Sequence, residues 1–238
     1  KKLNNLIVAK EYSLKTVKAS NSNIWYLRNY AEILFLNQDF DEAARQYVII
    51  LELEPENEFN YYKLADTYIY NQQYLKAIRV YDKLELKKGI DKMISLQKHK
   101  LYLQLKNVKK ATQELEVLSK KNSKDLEILQ ILAEAYILNN NKEKALDIFL
   151  KISKNDPDNG RIHLTLANFY RDNGDVESSF FELEKAFRSK DISIDTKISI
   201  LSSYNGILSV NDTIKNQAFV LAEILLLSHS FDHRVNAI

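Results

Sequence analysis

The four histidines are the residues of this 238-residue chain best able to bind a metal, and their spacing forms no complete site. His229 and His233 are four residues apart, a spacing that places two imidazoles on one helical face, as in zinc-binding helices. No cluster of carboxylates nearby supplies the remaining ligands. His99 and His163 each lack a second histidine within one helical turn. We therefore predict no metal site.

The sequence also lacks the motifs of the common enzyme classes. Its four glycines are scattered, whereas a phosphate-binding loop needs glycines clustered before a helix. No Gly-x-Ser-x-Gly motif marks a serine nucleophile, and the absence of cysteine excludes a thiolate nucleophile, disulfides and thiolate metal sites. We therefore expect a non-enzymatic protein that uses no cofactor and no small-molecule substrate.

The composition is typical of a chain that folds around an apolar core. It is 45% apolar and 28% charged, which excludes intrinsic disorder, and its four Gly and two Pro are too few for the many turns of a β-sandwich or barrel. The net charge of +2 predicts no dominant class of partner. Apolar runs are shorter than the roughly 18 residues that a membrane span needs, so a membrane contact would require a tether or partner outside this segment.

Small and aromatic residues recur every 34 residues, and this period predicts the fold class. One column consists of Ala9, Ala43, Ala77, Ala111 and Ala145, and a second of Leu34, Tyr68, Tyr102, Tyr136 and Tyr170. Within each period the apolar residues have helical spacing, and a short polar turn such as 37–39 divides them into two helices. Each period therefore predicts one helical hairpin, which must stack on its neighbours to bury its apolar face, giving a right-handed α-solenoid.

The pattern resembles the tetratricopeptide repeat (TPR) family. Small residues at repeat positions 8 and 20, an aromatic at position 11 and Pro at position 32 are clearest in the fourth repeat, in Leu129, Leu132, Ala133, Tyr136, Ala145, Phe149, Ile152 and Pro157. The resemblance implies an all-α, right-handed solenoid of stacked helix-turn-helix units over nearly the whole chain. We expect an entering helix over 1–23, repeats over 24–57, 58–91, 92–125, 126–159, 160–193 and 194–232, and the start of a further repeat at 233–238.

Two departures from the repeat pattern lead to further predictions. The third repeat has Lys98 and His99 where the family carries Leu and Ala, so its first helix is expected to pack less well. The sixth repeat is five residues longer than the period, which predicts longer helices or a larger loop around 205–213. Because the segment 218–227 is too apolar for a terminal cap, we expect further repeats beyond Ile238 in a longer polypeptide.

The resemblance also implies where a partner binds. In the TPR family the first helix of each repeat lines a concave groove through positions 2, 5, 9 and 12, and in this chain the first three repeats carry mainly aromatic and apolar residues there. The predicted partner-binding residues are Trp25, Arg28, Glu32, Phe35, Phe59, Tyr62, Asp66, Ile69, Met93, Leu96 and Lys100. Clustered exposed aromatics mark interaction surfaces, although some of these side chains are equally suited to pack against the neighbouring repeat.

Two alternative functions stay open. Residues 83–124 hold twelve Lys and four acidic residues, a local charge of +8 that is compatible with nucleic acid or anionic lipid. This segment has no Arg and few aromatics for stacking, so solvated helix faces and an acidic protein partner are the favoured interpretation. The second alternative is a regulatory module of a larger protein whose catalytic domain lies outside these residues.

The wider resemblance concerns cellular location. Lys far exceeds Arg, Asn is abundant, and the stretch 186–228 looks like long TPR proteins of AT-rich Gram-negative bacteria. Many of those are lipoproteins tethered in the periplasm that serve outer-membrane assembly or secretion machines. The resemblance implies a periplasmic, outer-membrane-associated subunit that binds protein partners in a multi-subunit assembly. A cytoplasmic location is the alternative, and the absence of Cys is compatible with both.

Overall fold

The computed structural model describes residues 2–204, 212–229, 232 and 234, and every regular element in these residues is helical. The α-helices are α1 (Lys2–Ala19), α2 (Ile24–Leu36), α3 (Phe40–Leu53), α4 (Glu58–Tyr70), α5 (Tyr74–Lys88), α6 (Lys92–Gln104), α7 (Val108–Lys121), α8 (Leu126–Leu138), α9 (Lys142–Asn155), α10 (Gly160–Asp172), α11 (Val176–Arg188), α12 (Ile194–Tyr204) and α13 (Asp212–Ser228). The predicted all-α class of stacked helix-turn-helix units is confirmed.

The helices belong to two compact units, Lys1–Lys121 and Asn122–Ile238. In the first unit, α2 packs against α3, α4 against α5 and α6 against α7, and the pairs contact one another through α3 with α4 and α5 with α6. In the second unit, α8 packs against α9 and α10 against α11, α9 contacts α10, and α13 contacts both α11 and α12. Each unit is therefore a set of helical hairpins that bury their apolar faces against one another.

The first helices of the pairs start 34 residues apart, and an Asx cap precedes each of the first five. The start residues are Ile24, Glu58, Lys92, Leu126, Gly160 and Ile194. Asx side chains accept hydrogen bonds from backbone N–H groups of the first turn at Asn23, Asn57, Asp91, Asp125 and Asn159. Each such cap stabilises its helix by about 1 kcal/mol, and this requirement explains part of the high Asn content.

Within each pair, one residue in the left-handed region turns the chain from the first helix into the second. The residues with positive φ at this point are Gln38, Gln72, Lys106, Asn140 and Gly174, again 34 apart, with φ between 54° and 80°. The sequence predicted a polar turn here. A single left-handed residue reverses the chain within three residues, and only at Gly174 is it a glycine, the residue without a Cβ penalty in this conformation.

The replacement Gln72→Gly is expected to stabilise the first unit by about 0.5–1 kcal/mol, because glycine adopts a positive φ without steric cost. Gln72→Val should be destabilising, since a β-branched residue is strained at a φ of 56°. Urea unfolding followed by circular dichroism measures both. The control is Arg79→Gly inside α5, where glycine should cost about 1 kcal/mol. If glycine at 72 and at 79 has the same effect, the turn is not constrained as described.

Lys98 and His99 are packed differently from the expectation. Both are buried, at 5% and 7% exposure. The Lys98 Nζ lies 2.7 Å from Asp82 Oδ1, 2.9 Å from Glu85 Oε2 and 3.0 Å from Glu114 Oε2. The His99 Nδ1 lies 3.0 Å from a backbone carbonyl of α7. The prediction that α6 packs less well is therefore wrong, because its neighbours supply polar partners for both side chains.

Polar residues are also buried in the second unit. The His163 Nε2 lies 2.8 Å from the Pro157 carbonyl oxygen, and its Nδ1 contacts a carboxylate oxygen of Glu182. Lys197 has 1% exposure and donates one hydrogen bond of 2.9 Å to the Ser189 carbonyl. His163 and Lys197 occupy the repeat position that Leu27 and Leu129 fill elsewhere, so the same core position accepts apolar and partnered polar side chains.

Replacing Lys197 with methionine is expected to stabilise the second unit by about 1 kcal/mol at neutral pH. Burial lowers the pKa of Lys197 below 10.5, so the folded state disfavours its charge, while the loss of one hydrogen bond offsets part of the gain. The wild type regains stability as the pH rises from the folded pKa to 10.5, so the advantage of the variant should shrink over that range. Thermal unfolding of both proteins between pH 7 and 10 tests this, and a constant difference would contradict it.

Two predicted features near the end of the chain lie only partly within the described residues. In the sixth repeat, α12 has 11 described residues and ends directly before 205–211, whereas α13 has 17 and is longer than the second helices of the other pairs. The predicted loop around 205–213 falls mainly on 205–211, outside the described residues. The predicted start of a further repeat at 233–238 also lies outside them, apart from Arg234.

Candidate functional site

Three large apolar side chains are exposed near the N-termini of α2, α4 and α6. They are Trp25, Phe59 and Met93, with exposures of 68%, 54% and 63%, and we call them the anchor row. All three occupy position 2 of their repeats and belong to the first unit. Exposed side chains of this size contribute little to the core and are available for contact with a partner.

Other predicted groove residues have a packing role. Phe35, Tyr62 and Ile69 are half-buried, and each packs against the buried apolar clusters of the first unit. Tyr62 also approaches Tyr81, with 6.3 Å between the ring centroids. Leu96 is half-buried on α6. For these residues the structure supports the interpretation that they hold the helix pairs together while presenting an edge to the surface.

The two predicted cationic residues differ in their surroundings. Arg28 forms an ion pair with Glu54, which also accepts hydrogen bonds from the side chains of Asn57 at 3.0 Å and Asn60 at 3.2 Å. This cluster joins α2 to the start of α4, so Arg28 contributes to the stacking of the first two helix pairs. Lys100 is exposed on α6.

A cavity of about 360 Å³ lies between α2, α3 and α4. Its lining residues are Glu32, Phe35, Leu36, Tyr47, Lys63, Asp66, Thr67 and Tyr70. Three of them were predicted as partner-binding residues, and the structure brings these three together. Leu36 and Tyr70, which both occupy position 13, were not among the predicted residues. Their signal was a large apolar residue directly after position 12 in two successive repeats.

Aromatic rings form one wall of this cavity. The ring of Phe35 meets that of Tyr70 edge to face, with 5.0 Å between centroids, and that of Phe40 in the same way at 5.4 Å. Phe40 and Tyr70 stack at 6.2 Å. The three rings contact one another in geometries that are typical of stable aromatic clusters, and two of them, Phe35 and Tyr70, line the cavity.

The other wall carries two carboxylates and one ammonium group. The Lys63 Nζ lies 3.4 Å from Glu32 Oε1 and 5.2 Å from the centroid of the Phe59 ring. Asp66 forms no hydrogen bond and no ion pair with any of the described residues. Desolvation by the surrounding protein raises the pKa of Asp66, and the charge of Lys63 opposes this effect only in part. With two carboxylates and one ammonium group, the lining of the cavity carries an excess of one negative charge.

The Lys-rich segment 83–124 is partly neutralised within the fold. Lys87 and Lys88 pair with Glu56 at 2.6 Å and with Glu58 at 2.8 Å, and Lys98 lies among its three carboxylates. These lysines come from the set that gave the segment its local charge of +8. The observed pairing weakens the case for a nucleic-acid surface, which needs lysines free to contact phosphates.

Within the described ranges, no group of three or more His, Asp or Glu side chains is arranged to hold a metal ion. His233, one member of the histidine pair considered for zinc, lies outside the described residues. Among the helices in those same ranges, none combines the length and apolar character required to cross a bilayer.

Comparison with known proteins finds a family match in one part of the chain. Residues 102–163 match the family described as tetratricopeptide repeat. The C-terminal part of a TPR repeat-containing protein from Cytophaga hutchinsonii is similar in structure, with a TM-score of 0.57 and 16% identity over 99% of this chain and 95% of that chain. A chain of the Naa15/Naa10 complex bound to HypK-THB is also similar, with a TM-score of 0.58 and 16% identity over 95% of this chain and 39% of that chain. At these identities the likeness shows the fold. No curated protein sequence matches the chain.

Proposed function

We propose, on the premise that this chain is built from tetratricopeptide repeats, that it is a non-enzymatic scaffold which binds a protein partner along α2, α4 and α6. Stacked helical repeats present extended concave surfaces suited to protein–protein interaction. The observation that carries the proposal is the anchor row of Trp25, Phe59 and Met93, three exposed apolar side chains at one equivalent position of successive repeats.

The anchor row is suited to binding because burial of such side chains provides most of the affinity of protein interfaces. Each one that a partner covers contributes about 1.5–3 kcal/mol, and Trp is among the commonest hot-spot residues. The same position carries Glu127 in the fourth repeat and Arg161 in the fifth. The repeat fold itself therefore does not require an apolar residue at this position.

The triple replacement Trp25→Ala, Phe59→Ala and Met93→Ala is expected to lower the recovery of the partner at least tenfold. The side chains are exposed, so their loss should leave the helical circular dichroism spectrum and the unfolding midpoint nearly unchanged. The measurement is quantitative mass spectrometry of proteins that co-purify with the tagged full-length protein after cross-linking in cells.

The matched control removes three exposed apolar side chains from second helices of the same unit, by Leu75→Ala, Leu86→Ala and Val117→Ala. It should retain the partners of the wild type. Equal loss of partners in both triple variants would indicate nonspecific adhesion, and unchanged partners in the anchor-row variant would place the binding surface elsewhere. Unfolding of the anchor-row variant would show that its side chains stabilise the fold.

We further propose that the assembly is a periplasmic, outer-membrane-associated complex for membrane assembly or secretion. Support comes from the excess of Lys over Arg, the Asn content and the resemblance to envelope TPR proteins, together with a cysteine-free sequence that an oxidising compartment tolerates. Fractionation of cells that express the full-length tagged protein tests this. Recovery in the envelope with outer-membrane or secretion proteins is expected, and recovery with soluble cytoplasmic proteins or ribonucleoprotein would overturn the placement.

A further inference from the structure

The cavity between α2, α3 and α4 has a composition that selects for one chemical class of side chain. Its aromatic wall includes Phe35 and Tyr70, and its polar wall carries Glu32, Lys63 and Asp66. With two carboxylates and one ammonium group, the polar wall has an excess of one negative charge.

Asp66 is the group on this wall that lacks a partner. The charge of Glu32 is balanced by that of Lys63. The Lys63 Nζ and the Glu32 Oε1 are 3.4 Å apart, which is longer than a normal hydrogen bond. Asp66 makes no hydrogen bond or ion pair within the described part of the chain. Asp66 is exposed on the cavity wall, so its carboxylate is open to pairing with a cation that enters the cavity.

We propose that this cavity receives a lysine or arginine side chain of the partner, whose aliphatic stem packs against Phe35 and Tyr70 and whose cationic head pairs with Asp66. The proposal rests on the proposed function, since it identifies one feature of the partner that the first unit binds. Aromatic faces and carboxylates both attract cations, and the volume of about 360 Å³ accommodates a long side chain. The anchor row takes no part in the cavity lining, and its contact with the polar wall is that of Phe59 with Lys63. Substitution of Asp66 therefore tests the cavity while the anchor row stays intact.

The experiment titrates the full 238-residue chain, labelled with 15N, with single-residue probes and follows its amide signals by NMR at pH 7.5. The probes are the N-acetyl, N′-methylamide derivatives of lysine, arginine, norleucine and glutamate. Norleucine has the aliphatic stem without the charge. The lysine and arginine probes are expected to shift amide signals of α2 and α4 near Phe35 and Tyr70, with Kd values about tenfold lower than that of norleucine. The shifts should weaken as salt is added.

Two variants assign the effect to Asp66. Asp66→Asn should raise the Kd of the lysine probe about tenfold, to that of norleucine, while the norleucine Kd stays unchanged. Glu52→Gln makes the same change in net charge at an exposed residue of α3 and should have no effect. Equal binding of lysine and norleucine, an unchanged Kd in the Asp66 variant, or shifts confined to other helices would each overturn the proposal.

The outcomes separate this inference from the proposed function. If the cationic probes fail while the anchor-row variant still loses its partners, the groove binds a protein and the cavity inference is wrong. If the probes bind as expected while the anchor-row variant keeps its partners, the cavity binds cationic side chains but the proposed binding surface across the anchor row is wrong.

Discussion

Replacement of Lys98 by methionine is expected to destabilise the first unit by about 2–4 kcal/mol at neutral pH. The ammonium group lies within 3.0 Å of carboxylates from α5 and α7, so its removal leaves three negative charges close together. Loss of one partner of a buried ion pair costs about 3–5 kcal/mol, and the half-exposed Asp82 reduces that value here. Burial alone would lower the pKa of Lys98, but the hydrogen bonds to the three carboxylates outweigh it and raise the pKa.

The effect of the Lys98 variant should depend on pH. Desolvation already raises the pKa of Glu114 above 4.5, and hydrogen bonding to Lys98 limits that rise. Without Lys98, the pKa of Glu114 in the folded state rises further. A group with a raised folded pKa contributes stability that is present below the unfolded pKa and lost as the pH rises through the folded pKa. The destabilisation should therefore be small below pH 4.5 and complete at neutral pH.

Urea unfolding at several pH values measures the free energy of unfolding of the Lys98 variant and of the wild type. Lys83→Met is the matched control, because Lys83 is an exposed lysine of α5 adjacent in sequence to Asp82. It should change the free energy of unfolding by no more than about 0.5 kcal/mol. A Lys98 variant as stable as this control, or a loss that is independent of pH, would show that the ion cluster does not stabilise the fold as described.

Replacement of Gly160 by valine is expected to destabilise the second unit by about 2–3 kcal/mol, because the start of α10 lies against the segment that follows α11. A Cβ at position 160 would lie 2.6 Å from Ser189 Oγ and 2.7 Å from Ile192 Cγ1 and from Ser189 Cβ. Ser189 is held in place by its hydroxyl, which donates a 2.8 Å hydrogen bond to the Asp158 carbonyl. Movement of Ser189 would therefore break its hydrogen bond to the Asp158 carbonyl.

Gly160→Ala distinguishes this close approach from ordinary helix propensity. Alanine has a higher helix propensity than glycine, so without a clash the change should not destabilise, whereas a steric clash at the Cβ should make it destabilising. Arg161→Ala, at the exposed neighbour, is the control and should have little effect. Thermal unfolding measures all three variants. A higher unfolding temperature for the alanine variant would contradict the close approach.

The fold was largely predictable because the repeat period is visible in residue types. Helix starts 34 residues apart follow from Asx caps and polar turns, and both are local features of the sequence. The packing of Lys98 was not predictable from α6 alone. Its partners Asp82, Glu85 and Glu114 lie on neighbouring helices, and only the stacking brings them to one point.

The candidate site was predictable in part, because the repeat period also fixes which residues share one face of the first helices. The spacing of positions 2, 5, 9 and 12 placed Trp25, Phe59 and Met93 on one predicted stripe, and the structure shows that all three are exposed. The sequence does not distinguish them from Tyr62 or Ile69, which have the same spacing and pack against the core. Their binding role stays a prediction.

Site-specific photo-cross-linking tests most directly whether α2, α4 and α6 hold a protein partner. The photoreactive residue benzoylphenylalanine replaces Phe59 in the full-length protein in cells, and Leu86, an exposed apolar residue of α5, in a control. We expect a discrete cross-linked protein from position 59, absent from position 86 and lost when Trp25 and Met93 are also changed to alanine. Cross-links of equal yield from both positions, or from position 86 alone, would contradict it.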